Sequence, residues 1–161
     1  AEVEKSKNYP VRSFYCNLYQ QYAGFEKNGE MRFTPPVQTV YAAIQGLKEY
    51  YAEGEMPKHE RHLRVNRAIH EGVAKLGLKE AIKPEIQSGL AVSVLYPDDP
   101  AWDFGKVHDY CYERGFTIYP GKISSSGTFR LCSLGAIDES DIKDFFVVFT
   151  EAFDKLGIRH E

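Results

Sequence analysis

Apolar positions along this chain fall into helical and alternating stretches separated by Gly and Pro stops. Val37, Val40, Tyr41, Ile44, Leu47 and Tyr51 recur at helical spacing. They predict a helix with Thr34 as N-cap and Pro35 at the first helical position, stopping at Glu53-Gly54-Glu55. Pro57 opens a second predicted helix, with Leu63, Ile69, Val73 and Leu76 on or near one face and Gly77 at its end. Its opposite face, Lys58, Arg61, Arg64 and Arg67, reads as basic and solvated. Ser88 to Tyr96 is rich in β-branched residues and predicts a strand closed by Pro97-Asp98-Asp99-Pro100. Phe104, Val107, Cys111 and Arg114 predict a third helix, and Phe116 to Tyr119 a short strand stopped by Pro120-Gly121. After the turn Ser124-Ser125-Ser126-Gly127, Thr128 to Leu134 is a third strand. Asp138 or Ser140 caps a last helix, whose face is Ile142, Phe145, Phe146, Phe149, Phe153 and Leu156, and Gly157 ends it.

This order predicts an α+β fold: a small antiparallel sheet of about three strands with helices packed on one face. Residues 1–33 lack a clean period. Tyr15, Leu18, Tyr19 and Tyr22 mark a short helix and Asn28-Gly29 a turn. Such a stretch reads as the tail of an earlier domain or a connecting segment.

Composition narrows the function classes. The 161 residues suffice for one compact core, and 43% hydrophobic with 27% charged residues is ordinary for a soluble domain. A formal net charge of -3 gives no pull toward nucleic acid. No apolar run is long enough to span a membrane. The polar start Ala-Glu-Val-Glu-Lys-Ser-Lys has neither a signal core nor an initiator Met, which suits a truncated or cleaved chain. Cys16, Cys111 and Cys132 are few and widely spaced, which argues for a reduced cytoplasmic setting rather than a disulfide framework or zinc site. His59 and His62 share a helix side, but no third ligand stands out. Asp98-Asp99 and Asp138-Glu139 read as turn and cap carboxylates.

Three positions could carry chemistry. Arg130, between Phe129 and Leu131, offers a planar fork suited to carboxylate or phosphonate oxygens; taken alone it reads first as an outward strand residue in a structural ion pair. Thr34 reads first as a helix cap, and a helix N-terminus also favours a phosphate. Tyr119-Pro120-Gly121-Lys122 reads first as a plain turn with a solvated lysine.

The segment Asn17-Leu18-Tyr19-Gln20-Gln21 is followed in order by Arg32-Phe33-Thr34-Pro35-Pro36, Arg61-His62 through Asn66-Arg67, and Pro97-Asp98-Asp99-Pro100 with Phe104. Gly115-Phe116 through Lys122 and Thr128-Phe129-Arg130-Leu131 complete the series. In that order and spacing they resemble the C-terminal part of the 2-aminoethylphosphonate–pyruvate aminotransferase family, fold-type-I class V enzymes that use pyridoxal 5'-phosphate. The resemblance implies that 34–161 is a small C-terminal domain beginning with a long interdomain helix. It also implies that 1–33 is the tail of the large cofactor domain or a connecting segment. It assigns Arg130 to the acidic group of the substrate, and Thr34 to the cofactor phosphate of a neighbouring subunit, hence a homodimer. Arg32 is expected at the same mouth, and the loop at Lys122 near the substrate entrance. Lys122 lies too late in the chain to be the Schiff-base lysine, which is expected upstream of Ala1, so the fragment alone is expected to be inactive. The implied substrates are 2-aminoethylphosphonate and pyruvate. After the arginine the family typically runs Ile-Gly-Asn-Ile-Gly, whereas Leu131-Cys132-Ser133-Leu134-Gly135 stands here. That difference bears on substrate identity, because Cys132 crowds a position where Gly allows close approach. Two further readings remain: an alanine–glyoxylate or serine-type class V relative, and a non-catalytic α+β binding module.

Overall fold

The computed structural model describes residues 2–121 and 127–160. Lys122 and the serines of the expected turn, 124–126, lie outside the described residues. Among the described residues six α-helices and three strands follow in the order α1 (Glu2–Lys5), α2 (Leu18–Asn28), α3 (Val37–Glu53), α4 (Glu55–Lys75), β1 (Ala91–Leu95), α5 (Phe104–Tyr112), β2 (Tyr119–Pro120), β3 (Thr128–Cys132) and α6 (Glu139–Leu156). The chain divides into two compact units, Ala1–Ala52 and Glu53–Glu161. The fold is α+β, and no helix among the described residues is long and apolar enough to cross a membrane.

In the first unit α2 begins where the Asn17 side chain accepts from the Gln20 amide. α3 starts at Val37, three residues after Thr34, so Thr34 is not its cap. The carbonyl of Pro36 accepts from the Val40 amide, which makes Pro36 the capping position. The cause is local: a residue before proline is pushed out of the helical region, so Pro35 cannot take the first helical position. Val37, Val40, Tyr41, Ile44, Leu47 and Tyr51 of α3 are all exposed, and no described residue of this unit is buried.

The second unit has its own core. α4 begins at Glu55, with Pro57 in its first turn, where a missing N–H breaks no helical bond. Its buried stripe is Val65, Ile69, Gly72 and Val73, continuing to Leu76. Leu63, expected on that face, is 43% exposed: at 3.6 residues per turn it points nearly opposite Val65. α6 buries Ile142, Phe145, Phe149, Ala152 and Phe153. Asp138 caps it with a reciprocal box, accepting from the Ser140 and Asp141 amides while its own amide donates to Asp141 Oδ2 at 2.8 Å. α4 and α6 cross closely at Gly72, where a Cβ would collide with the Phe146 ring.

The sheet has the order β1-β3-β2 and both pairings are antiparallel. The predicted second strand shrinks to Tyr119–Pro120, because the Phe116 amide turns back to the Cys111 carbonyl and Ile118 is buried in the core. Pro120, lacking an N–H, is tolerated on this edge strand. Val92 and Val94 of β1 and Phe129 and Leu131 of β3 form the apolar face and share one core with α4, α5 and α6. Alternation then puts Arg130 on the other face.

Candidate functional site

β3 places Arg130 at the centre of a cross-strand row, with Ser93 of β1 opposite on one side and Tyr119 of β2 on the other. Its neighbours along the chain, Phe129 and Leu131, are buried, while Arg130 itself is exposed. Among the described residues no hydrogen bond or ion pair engages its guanidinium, so the structural ion pair that its sequence allowed has no partner here.

Arg130 borders a cleft of about 400 Å³ whose walls include Phe116, Thr117, Tyr119, Cys132 and Leu134. Ile69, Ile142 and Phe145 make its floor apolar. Cys132, two residues after Arg130, lies on the same sheet face and is exposed. Asp141 also lines the cleft, with its Oδ2 taken by the Asp138 amide; a cation with no partner among the described residues beside largely apolar walls suits a small ligand with an anionic end. No lysine among the described residues lines this cleft.

The segment that leaves β3 is held from α4. Ser133 is buried, and its amide donates to the Leu90 carbonyl at 2.9 Å. His62 Nδ1 lies 2.8 Å from the Ser133 carbonyl; a carbonyl only accepts, so Nδ1 carries the proton. Arg61 Nη1 donates to the carbonyls of Gly135 at 2.9 Å and Ile137 at 3.0 Å. Its Nε and Nη2 form a fork on Glu53, at 2.6 and 3.1 Å. Those bonds hold the Glu53 carboxyl below its usual range and raise the Arg61 guanidinium above its own. Arg61 is thus committed rather than solvated, and Arg64 pairs with Glu139 at 2.7 Å. The basic face expected from sequence is in these two places a set of tertiary links. No local pattern signals them, since the carbonyl partners of Arg61 lie more than seventy residues on.

Thr34 lies in the first unit, exposed, in the non-helical stretch before α3. Among the described residues its hydroxyl has no partner. The neighbouring Arg32 is fixed: its guanidinium lies 4.6 Å from the Phe14 ring centre and 5.1 Å from that of Phe33, and its amide donates to Gln21 Oε1 at 3.1 Å. Phe33 also stacks on Tyr15 at 4.8 Å. The stretch is therefore braced on one side by aromatic contacts, while the Thr34 hydroxyl, unpartnered among the described residues, stands next to a helix N-terminus. Those features fit one ligand to a phosphate. Arg130 and Thr34 belong to different units, and nothing within either unit brings them together. No group of His, Cys, Asp and Glu among the described residues is placed to hold a metal ion.

No protein-family model matches the chain. It is 35% identical over 147 residues to a 2-aminoethylphosphonate–pyruvate transaminase of Burkholderia lata, covering 91% of this chain and 40% of the relative. A protein of the same name from Phocaeicola vulgatus is 39% identical over 132 residues, covering 81% of this chain and 36% of the relative. The chain thus spans about two-fifths of the length of the curated relatives it matches. In fold it matches the crystal structure of a ureidoglycine–glyoxylate aminotransferase from Bacillus subtilis, with a TM-score of 0.81 and 18% identity, over 99% of this chain and 42% of that one. It likewise matches an alanine–glyoxylate aminotransferase from Nostoc, with a TM-score of 0.79 and 16% identity, over 94% of this chain and 41% of that one. The family resemblance carried by the residues therefore agrees with both sequence relatives and fold.

Proposed function

We propose that this chain is the C-terminal part of a pyridoxal-phosphate-dependent transaminase that moves the amino group of 2-aminoethylphosphonate to pyruvate, giving phosphonoacetaldehyde and alanine. The observation that carries the reading is relatedness over 91% of the chain to proteins of that name. The guanidinium of Arg130, which has no partner among the described residues and borders a largely apolar cleft, supports it. On this reading residues 34–161 form the small domain, 1–33 adjoin the large one, and the lysine that the chemistry needs lies upstream of Ala1. The chain by itself would then be inactive.

Bound pyridoxal phosphate supplies the electron sink for amino transfer. This chain's residues bind and orient. Arg130 pairs its donors with the phosphonate of one substrate and the carboxylate of the other, fixing the reacting end relative to the charged end. The apolar floor from Ile69 and Phe145 lies beside that pair and offers contact to the substrate's carbon atoms. Thr34 would be the residue that holds the cofactor phosphate, and on the family reading it would do so across a homodimer in a reduced cytoplasm. Cys132, beside Arg130, narrows the space for the bound acid.

The complete polypeptide, loaded with cofactor, is given 2-aminoethylphosphonate without keto acid. Conversion of the cofactor to its amine form, reversed by pyruvate, is the expected result. Conversion only with alanine or serine would keep the fold and move the enzyme to a glyoxylate or serine type, and absence of cofactor binding would leave a non-catalytic module. Arg130→Ala should raise the Michaelis constant for the phosphonate about 10- to 100-fold, the loss of a charge-assisted hydrogen bond. An unchanged constant would remove Arg130 from its role.

A further inference from the structure

We infer that Arg61 is a positioning residue for Arg130, acting through the turn that leaves β3, with His62 as its neighbour in the same task. The inference rests on the reading of Arg130 as the acid-binding group.

Arg130 stands on the open face of the sheet and has no side-chain partner among the described residues. Its location is therefore set by the backbone of β3 alone. On the β1 side that backbone is paired from Thr128 to Cys132; on the β2 side, among the described residues, it is held at Tyr119 and Pro120 and by the Gly121 amide, which donates to the Thr128 carbonyl at 2.6 Å. The exit of β3, Ser133 to Ile137, is anchored by buried Ser133 at one end and by Ile137, packed against the core, at the other. Leu134 is 59% exposed, and Gly135 adopts a φ of 111°, a region open to glycine and strained for other residues. Between those anchors the exposed stretch takes its shape from its hydrogen bonds, and α4 supplies them. His62 holds the carbonyl of Ser133, and Arg61 holds those of Gly135 and Ile137.

Arg61 suits this work for a geometric reason. Glu53 takes Nε and Nη2 in a fork, which fixes the plane of the guanidinium and aims Nη1 at the two carbonyls. Only one of its five N–H donors is left over. Its side chain is 17% exposed, so water competes poorly for these bonds. A lysine keeps the charge but not the fork, and cannot serve both the carboxylate and the two carbonyls in one plane. The same turn borders the Arg130 cleft through Leu134 and Ile137, so its movement changes the wall as well as the strand.

A purely structural role would lower the melting temperature and leave the folded enzyme's kinetics alone. The test uses the complete, cofactor-loaded enzyme and its Michaelis constant and turnover with 2-aminoethylphosphonate, alongside thermal unfolding. Arg61→Ala is expected to raise the Michaelis constant about tenfold with turnover changed about twofold or less, and Arg61→Lys to recover part of the loss. Glu53→Gln keeps Arg61 but weakens the fork, and is expected to raise the constant about two- to threefold; it serves where Arg61→Ala fails to fold. Arg130→Ala is measured in parallel. If it raises the constant while Arg61→Ala and Glu53→Gln do not, Arg61 has no positioning role. If Arg130→Ala itself has no effect, the acid-binding reading fails, and the inference falls with it.

Discussion

α3 and α6 both carry apolar residues at helical spacing, yet they have opposite fates. α6 buries Ile142, Phe145, Phe149, Ala152 and Phe153, and its unit closes around them. α3 displays Val37, Val40, Tyr41, Ile44, Leu47 and Tyr51 and buries none of them. The difference teaches that periodicity announces which face of a helix can be buried, while burial needs a facing surface. In the second unit the sheet and α4 provide that surface. In the first unit the described residues do not.

The contrast can be tested by truncation. Phe149→Ala should cost about 3–5 kcal/mol in urea unfolding of the chain, because a fully buried ring leaves a cavity. Ile44→Ala on α3 should change the same transition by less than about 0.5 kcal/mol. Equal effects would mean that α3 contributes to the cooperative core. A smaller effect is expected where α4 meets α6. Gly72→Ala should destabilise by about 1–3 kcal/mol by driving a Cβ into the Phe146 ring. Adding Phe146→Ala should recover part of that cost, and a purely additive pair would show that the two do not touch.

A further effect concerns acid. Asp99 accepts from the Ala101 amide at 2.8 Å and from Arg159 Nε at 2.9 Å, tying the chain end to the turn before α5. These bonds, the Ala101 amide foremost, lower its carboxyl from the ordinary 3.8 to about 2. The folded state thus prefers the carboxylate more than the unfolded state does. Its contribution is full above pH about 4 and is lost as the pH falls through about 2. Asp99→Asn should lower stability at neutral pH, and its difference from wild type should shrink between those limits. A constant difference across that range would show that the carboxylate charge is irrelevant.

Much of the fold was legible because its determinants are local. Asp138 with Asp141 three residues on, the phenylalanine stripe behind them and Gly157 at the end are a complete helix instruction, and the helix follows it. Strand β3 and the outward position of Arg130 follow from alternation about Phe129 and Leu131. Local reading went astray where two local rules compete. Thr34 has the chemistry of a cap, but the second proline displaces the helix start to Val37. Leu63 has the right hydrophobicity but the wrong phase for the stripe through Val65 and Ile69.

The sequence by itself determined the α+β class, most helix stops, and a strand arginine framed by buried neighbours, because backbone preference and side-chain period act over a few residues. Only the tertiary structure decided that Arg130 stands without a carboxylate partner among the described residues, and that Arg61 is engaged by Glu53 and two distant carbonyls. The physical reason is that an unpaired or fully committed guanidinium is defined by what surrounds it. Those surroundings are assembled from segments far apart along the chain, where neither period nor propensity carries information.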